Sequence, residues 1–281
     1  MNRNMRFLIL LASIGGLLLR AQTPIQISVN QARPLEAALD QLENKLGIPI
    51  NYEDPRLACP SDIQDVTAQV QNAAQRAANP RTRVIVPKGG ALSVDMVLPN
   101  VVQTGDALTV VTALRAQYEA NGYPGRFTIK QVGSVLTVEP NAVRGSDCTW
   151  AAASPAMETP ISFPSQQRDA TETLSLILHA VTQRLGMKVG LGNLPMVAFV
   201  NRKATVRADN EPANIVLMRL FDQLSPAGQS TYSYHLFYDP GLKYYLADIA
   251  AVQPLRPKPE AQGVPPPPKG VFGASQNPPK K

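Results

Sequence analysis

The residues that could do chemistry are few and widely spaced. The chain has two histidines, His179 and His235, and neither has a Cys, Asp or Glu at the spacing of metal ligands. The sequence contains no G-x-S-x-G elbow, no phosphate loop and no H-E-x-x-H motif. We therefore expect both histidines to be structural, and we expect neither a metal site nor a cofactor.

Two groups of carboxylates could act as acids or bases. The first group is Glu36, Asp40 and Glu43. Its spacing places it on the outer face of a helix, where charged residues are usually solvated. Glu53 and Asp54 could form a carboxylate pair with Asp62, but nothing in the local sequence positions them. The chain is therefore expected not to be an enzyme. A weak hydrolase is the alternative, and it would need a cleft whose polar groups are brought together only by the fold.

The only cysteines are Cys59 and Cys148. In an oxidising compartment such a pair is more often bridged than free, so the two are the candidate disulfide.

Two stretches, residues 34–54 and 173–193, define the elements that would position these side chains. Their apolar residues recur at spacings of 4, 3 and 4, which places one helix face on a core. These residues are Leu35, Leu39, Leu42 and Leu46 in the first stretch and Leu174, Leu178, Val181 and Leu185 in the second, at a constant offset of 139. A glycine ends each helix, Gly47 and Gly186, because glycine accepts the left-handed turn. A short strand follows in both.

The rest of the chain repeats one order of elements. Strand, helix, strand, strand, helix, strand, strand is predicted for residues 22–139 and again for residues 161–250. The second helices align at an offset of 106, and a segment after Asp54 explains most of the difference. Helices and small sheets packed together in each copy predict an α+β fold of two tandem modules. The segment 140–160, rich in Ala, Ser and Pro, is predicted to be a linker.

An inserted helix is predicted at about 61–78. Ser61 and Gln64 could form a capping box at its start, and Ile63, Val66 and Val70 form a thin apolar seam along it. This helix either packs on its own module or docks a partner, and the three seam residues are the interaction candidates.

The order of elements, with PLEAALDQLENKLG followed by IPINYED, resembles the secretin and TonB short N-terminal domain. The resemblance covers residues 25–139 and extends more weakly to 160–249. It implies a module of the periplasm that contacts envelope proteins. After the modules we expect neither a secretin ring domain nor a membrane β-barrel, so the pore or receptor role of that family is not carried over.

Charge is concentrated at the two ends of the 281-residue chain. Residues 1–21 carry +3 and residues 252–281 carry +4, and removing both from the net charge of +6 leaves about −1 for the body. A nucleic-acid-binding protein carries its basic patch on the fold itself, so nucleic acid is not an expected partner. Segment 251–281 holds nine prolines and is predicted to be an extended tail. It could serve as a spacer, as a ligand for an aromatic groove or as a basic contact.

These observations lead to three hypotheses. The first is an exported, non-catalytic protein-interaction module of the cell envelope, which could be an accessory to a secretin or outer-membrane system. The second is a periplasmic sensor of a small ligand or peptide, with a pocket between the modules lined by Trp150, Tyr232 and Tyr245. The third is the weak hydrolase.

We expect the mature protein to begin near Gln22. Arg3 and Arg6 precede a short apolar run, residues 7–19, which is typical of a cleavable signal peptide rather than a stable membrane span. Mass spectrometry of the protein from periplasmic extract would check this. An intact Met1 on membrane-bound protein would instead show an uncleaved anchor.

Overall fold

A computed structural model describes residues 22–79, 82–99, 101–226 and 231–253. The predicted signal peptide and the tail from residue 254 onward lie outside the described residues. The fold is α+β. No helix within the described ranges is long and apolar enough to cross a membrane.

Thirteen strands and seven α-helices make up the described part of the chain. The strands are β1 (Gln22–Gln31), β2 (Ile50–Glu53), β3 (Ile63–Asp65), β4 (Ile85–Pro87), β5 (Gly90–Pro99), β6 (Arg126–Val132), β7 (Val135–Arg144), β8 (Trp150–Ala152), β9 (Pro160–Asp169), β10 (Val189–Leu191), β11 (Lys203–Pro212), β12 (Tyr232–Asp239) and β13 (Tyr244–Ala251). The helices are α1 (Pro34–Leu46), α2 (Thr67–Val70), α3 (Ala73–Ala78), α4 (Thr104–Ala120), α5 (Ala170–Leu185), α6 (Met196–Phe199) and α7 (Ala213–Leu224). Two 3₁₀ turns lie at Pro60–Asp62 and Ala156–Glu158.

A single seven-stranded sheet runs through the molecule, in the order β10-β13-β12-β2-β7-β6, with β8 paired to β7. Strand β2 is parallel to both of its neighbours, β7 and β12. Small sheets were expected, and the two-stranded β1–β5 and β9–β11 ribbons are such sheets, but the larger sheet also joins strands from both halves of the chain. Without β12, β2 would leave its outer N–H and C=O groups unpaired inside the protein, and burying them unpaired is costly.

Two apolar cores flank this sheet. The first core lies between α1, α4, the β1–β5 ribbon and the sheet, and the second lies between α5, α7, the β9–β11 ribbon and the sheet. Helices α1 and α5 bury the apolar faces that their spacing predicted. Both helices end at a left-handed glycine, Gly47 with φ 62° and Gly186 with φ 65°.

The segment 140–160 is not a free linker. It contains the last part of β7, strand β8 and a 3₁₀ turn whose Ala156 and Met157 are buried in the second core. The tail also begins later than predicted, because Ala251 ends β13 and Val252 is buried with its N–H donated to the Thr231 carbonyl. Both segments are held in place because their backbone N–H groups have acceptors, the Glu53 carboxylate for Ala156 and Met157 and the Thr231 carbonyl for Val252.

The predicted inserted helix at 61–78 is wrong. The segment forms a 3₁₀ turn, strand β3 and two short helices, α2 and α3. The Asp65 carboxylate accepts hydrogen bonds from the N–H and the hydroxyl of Thr67, which competes with helical bonding. Asn72 and Gln75 form a capping box that starts α3 as a separate helix. Ser61 does not cap a helix, because its hydroxyl contacts the Cys59 sulfur.

The three seam residues consequently do not share a helix face. Ile63 lies in β3 and packs against the second core, Val66 is 9% exposed, and Val70 is 60% exposed. A single docking seam made of these residues does not exist in the structure.

The different exposures of Val66 and Val70 provide a matched pair of substitutions. Val66→Asp should lower the free energy of unfolding by about 2–4 kcal/mol, because it buries an unpaired carboxylate. Val70→Asp should change it by less than about 0.5 kcal/mol, since the side chain faces solvent. Urea denaturation of the two variants measures both values. Equal effects would contradict the described burial.

Candidate functional site

Strand β2 and the residue after it carry the polar contacts that join the two cores. The Asp54 carboxylate accepts hydrogen bonds from Arg33 Nε at 2.7 Å, from Tyr52 Oη at 2.8 Å and from the Tyr238 N–H at 3.0 Å. Its own N–H donates to the Leu236 carbonyl at 2.8 Å. Asp54 is 2% exposed, so an ion pair and hydrogen bonds compensate a buried charge.

Glu43 is a second buried carboxylate at this junction. It accepts the N–H of Ile50 at 2.7 Å and the hydroxyl of Ser233 in β12 at 2.9 Å. Burial raises the pKa of Glu43, although both hydrogen bonds oppose the shift. The prediction that Glu43 lies on a solvated outer face is therefore wrong. Its side chain projects instead toward the start of β2 and toward β12.

His235 of β12 also contacts the first core. Its Nδ1 lies 3.0 Å from Glu36 Oε1 and its Nε2 lies 3.2 Å from the Ile50 carbonyl oxygen. Both ring nitrogens face oxygen acceptors, so only the doubly protonated imidazolium satisfies both contacts. Burial alone lowers the pKa of His235, but the Glu36 hydrogen bond and the nearby charges of Glu36, Glu43 and Asp40 outweigh it and raise the pKa.

Glu53 points toward the segment 150–158. Its carboxylate accepts the N–H groups of Ala156 and Met157, the latter at 3.1 Å. Burial is the main cause that raises the pKa of Glu53 to about 8, and the nearby Glu139 and Glu158 add to it. This buried acid orders the 3₁₀ turn. It does not meet Asp54 and Asp62 in one cleft, because each of the three has its own partner.

Asp62 and the two cysteines form a corner beside β8. The sulfur atoms of Cys59 and Cys148 are 2.04 Å apart and form a disulfide across 89 residues. Asp62 is fully buried and pairs with the Arg144 guanidinium, whose Nε lies 3.1 Å from Asp62 Oδ2. The segment that follows β2 is therefore tied to β7 and β8 both covalently and by charge.

Trp150 is the exposed aromatic residue of this corner, with 45% of its surface exposed. The Arg126 guanidinium carbon lies 4.6 Å from its ring centre and that of Arg144 lies 5.7 Å away. These residues line a cleft of 440 Å³ together with Tyr123 and Glu119. An exposed aromatic ring close to two guanidinium groups is a contact surface for planar or anionic groups.

The expected ligand pocket of Trp150, Tyr232 and Tyr245 is not formed. Trp150 lines the cleft just described, Tyr232 packs against Phe199 and Phe221 in the second core, and Tyr245 is 1% exposed at the wall of another cavity. The three side chains therefore do not converge on one ligand.

Strand β6 ends the order of the sheet in the described residues. The N–H of Phe127 faces Glu119 Oε1 at 3.5 Å, and its carbonyl accepts from Arg115 Nη1 at 3.3 Å. Because strand residues alternate between the two edges, Ile129 and Gln131 also direct their backbone groups outward. This edge, from Ile129 to Gln131, is the candidate interaction site and is called the β6 edge below.

The residues that join the cores were not identified from the sequence. Arg33 and Tyr238 are separated by 205 positions, and Glu36 and His235 by 199. One local signal was available, because Asn51 and Glu53 interrupt an otherwise apolar strand. The two residues lie two positions apart and therefore on one face of the strand, so this signal marks a polar face but does not identify the residues that cover it.

A scan of protein-family models, a search of curated proteins and a search of solved structures each found no match to this chain. Within the described ranges, no three His, Cys, Asp or Glu residues are grouped so that they could hold a metal ion.

The pKa of His235 predicts how stability depends on pH. The folded pKa lies above the unfolded value of about 6.5, so the stabilisation is complete below that value and is lost as pH rises through the folded pKa. Glu36→Gln should therefore lower the free energy of unfolding by about 2 kcal/mol at pH 6, and by less at pH 9. Urea denaturation from pH 5.5 to 9 measures the difference from the wild type.

Glu172→Gln on the exposed start of α5 provides the control, because Glu172 lies in a first helical turn as Glu36 does. A Glu36→Gln effect that stays constant with pH would show that His235 is not charged in the folded protein.

Proposed function

We propose that this chain is an exported, non-catalytic protein of the bacterial cell envelope that binds another envelope protein by strand addition at the β6 edge. It would serve as an accessory to a secretin or outer-membrane system. The resemblance of its first half to the secretin and TonB short N-terminal domain supports this compartment and this role.

The proposal includes two tandem modules of the order β-α-β-β-α-β-β. Supporting it, β2 is parallel to β7 and β10 is parallel to β13, each next to an antiparallel partner. Glu43 and Thr182, 139 positions apart, each accept the N–H of the first residue of the following strand, Ile50 and Val189. The module boundaries are 22–139 and 161–250.

One observation carries the interaction role. The sheet is continuous because the outer strand of the second module, β12, takes up β2 of the first module as a parallel neighbour. The strand of the first module that corresponds to β12 is β6, and the described part of the chain leaves its outer edge without a strand. A sheet edge of this kind can bind an extended segment through main-chain hydrogen bonds.

The buried acids support a structural role for the groups that could have been catalytic. Asp54, Asp62 and Glu53 are each engaged by an arginine or by backbone N–H groups of the same chain. Each of these contacts fixes one segment against another. Each of the three carboxylates therefore already has a structural role in the fold.

A small-ligand sensor is the second candidate, and one cavity favours it. The cavity measures 310 Å³ and lies between Arg56, Val143, the segment 152–155 and two residues of the second core, Leu185 and Tyr245. A ligand there would contact both modules. Thermal shift screening with Arg56→Ala as a control would test it, and a ligand that stabilises only the wild type would support it.

Photo-crosslinking tests the interaction role. A crosslinking amino acid at Gln131 should capture one defined protein in intact envelopes, because this exposed position lies on the β6 edge. The same amino acid at Val97, which is 60% exposed on β5, should not capture it. Equal capture at both positions would mean that the contact is non-specific and that the β6 edge is not the binding site.

A further inference from the structure

We propose that the β6 edge binds an extended segment parallel to β6, with an acidic side chain where the segment passes Arg115 and Arg126. This inference rests on the proposed function and adds the direction and the chemistry of the partner. Its starting point is the pairing of β12 with β2, which shows how this sheet accepts a strand.

Three backbone positions of β12 hold β2. The N–H of Tyr234 donates to Asn51 Oδ1 at 3.0 Å, the Leu236 carbonyl accepts from the Asp54 N–H, and the N–H of Tyr238 donates to Asp54 Oδ2. These contacts come from alternate residues of one strand edge.

The β6 positions that correspond to them follow from the ladders. Ile50 and Val189 occupy the same place in their modules, and they are opposite Leu136 and Tyr245. Leu136 pairs with Gln131. Tyr245 pairs with Tyr238. Gln131 therefore corresponds to Tyr238, Ile129 to Leu236 and Phe127 to Tyr234.

The part of β6 that precedes the β6 edge differs from the corresponding part of β12. Phe127 is already contacted by Arg115 and Glu119 of α4, which take the place that Asn51 has on β12. Ile129 and Gln131 remain, and they correspond to the two positions that Asp54 engages. The β6 edge thus offers two outward-facing residues, the same number that Asp54 contacts on β12.

Charge at this edge favours an acidic partner. The Nε atom of Arg115 is buried and has no hydrogen-bond partner in the described part of the chain. Arg126, the first residue of β6, stacks on Trp150 and forms no ion pair with any described residue. The side chains of Arg115, Arg126 and Glu119 together carry a net charge of +1 beside Phe127. A carboxylate of the partner would neutralise that charge.

A second copy of this chain does not offer the matching groups. Its exposed edge at the other end of the sheet is β10. The position that corresponds to Glu43, in the helix before the strand, is Thr182, and the position that corresponds to Asn51 is Gly190. Lys188 precedes β10 and adds positive charge. The edges β6 and β10 are therefore not complementary, and the partner is a different protein.

The probe is a synthetic peptide with the sequence of residues 47–56, the segment that pairs in parallel with the corresponding edge of β12. Three versions carry Asp, Asn or Lys at the position of Asn51, which would pass Phe127 and Arg115. Affinity should fall in the order Asp, Asn, Lys, with about a tenfold difference between Asp and Lys at low salt and a smaller one at high salt. Amide NMR should show shifts at Ile129 and Gln131.

Two protein variants locate the binding. Gln131→Pro removes the outward N–H, which an edge strand tolerates, and should weaken peptide binding at least tenfold. Gln131→Ala keeps the N–H and should bind like the wild type. Arg115→Gln should remove the preference for Asp, and Arg184→Gln, on the exposed end of α5, should leave it unchanged.

A fourth peptide leaves the protein untouched and gives the same information if a variant fails to fold. N-methylation at the Asp54 position removes the N–H that should donate to the Ile129 carbonyl, and it should abolish binding.

Several outcomes would overturn the inference. Shifts at Tyr238 rather than Gln131 would mean that the peptide displaces β2 from β12. A preference for Lys over Asp, or dimers of the protein alone in sedimentation, would assign a different partner. If Gln131 still crosslinks to a protein in envelopes but none of the peptides binds, the proposed function is retained. Only the inference of a parallel acidic segment is then rejected.

Discussion

The placement of β2 between two parallel neighbours is the constraint on which the rest of the structure depends. Its four residues, Ile50 to Glu53, are all buried, and two of them are polar. Each polar group must therefore find a partner within the protein, because an unpaired buried charge costs several kcal/mol. Those partners come from distant segments: Asn51 contacts Thr137 in β7 and the Tyr234 N–H in β12, and Glu53 accepts the N–H groups of Ala156 and Met157. The two cores cannot separate without exposing these groups or leaving them unpaired.

The segment after β2 extends the same constraint. Leu57 is buried in the second core, the disulfide holds Cys59 to Cys148, and Asp62 pairs with Arg144. The segment that the sequence pattern marks as an insertion thus joins the end of β2 to β7, to β8 and to the second core. A closed loop of 89 residues also limits the unfolded chain, which in the chain-entropy model stabilises the fold by roughly 4 kcal/mol. The insertion is therefore part of the framework that holds the two cores together.

The surface that we propose for a partner is the β6 edge, where the sheet ends in the described residues. Only two residue pairs form the ladder between β12 and β2. The contact is specified by side chains that reach β12 from α1 and from the turn before α1. Strand addition gives affinity through backbone groups, which are the same in every protein, so specificity must come from the flanking side chains. At the β6 edge those side chains are two arginines, a glutamate and the exposed Trp150.

The sequence by itself determined the local elements. Apolar spacing and a terminal glycine defined α1 and α5, and the alternation of apolar and polar residues defined most strands, because these signals depend on neighbours within one or two turns. The tertiary structure alone decided that Glu43 is buried, that His235 meets Glu36 and that one sheet serves both cores. These contacts join residues up to about 200 positions apart, and no local pattern encodes which distant strand covers an edge. The inserted segment was misassigned for a related reason, since its pairing with β4 and the Asp65 side chain outweighed a weak helical seam.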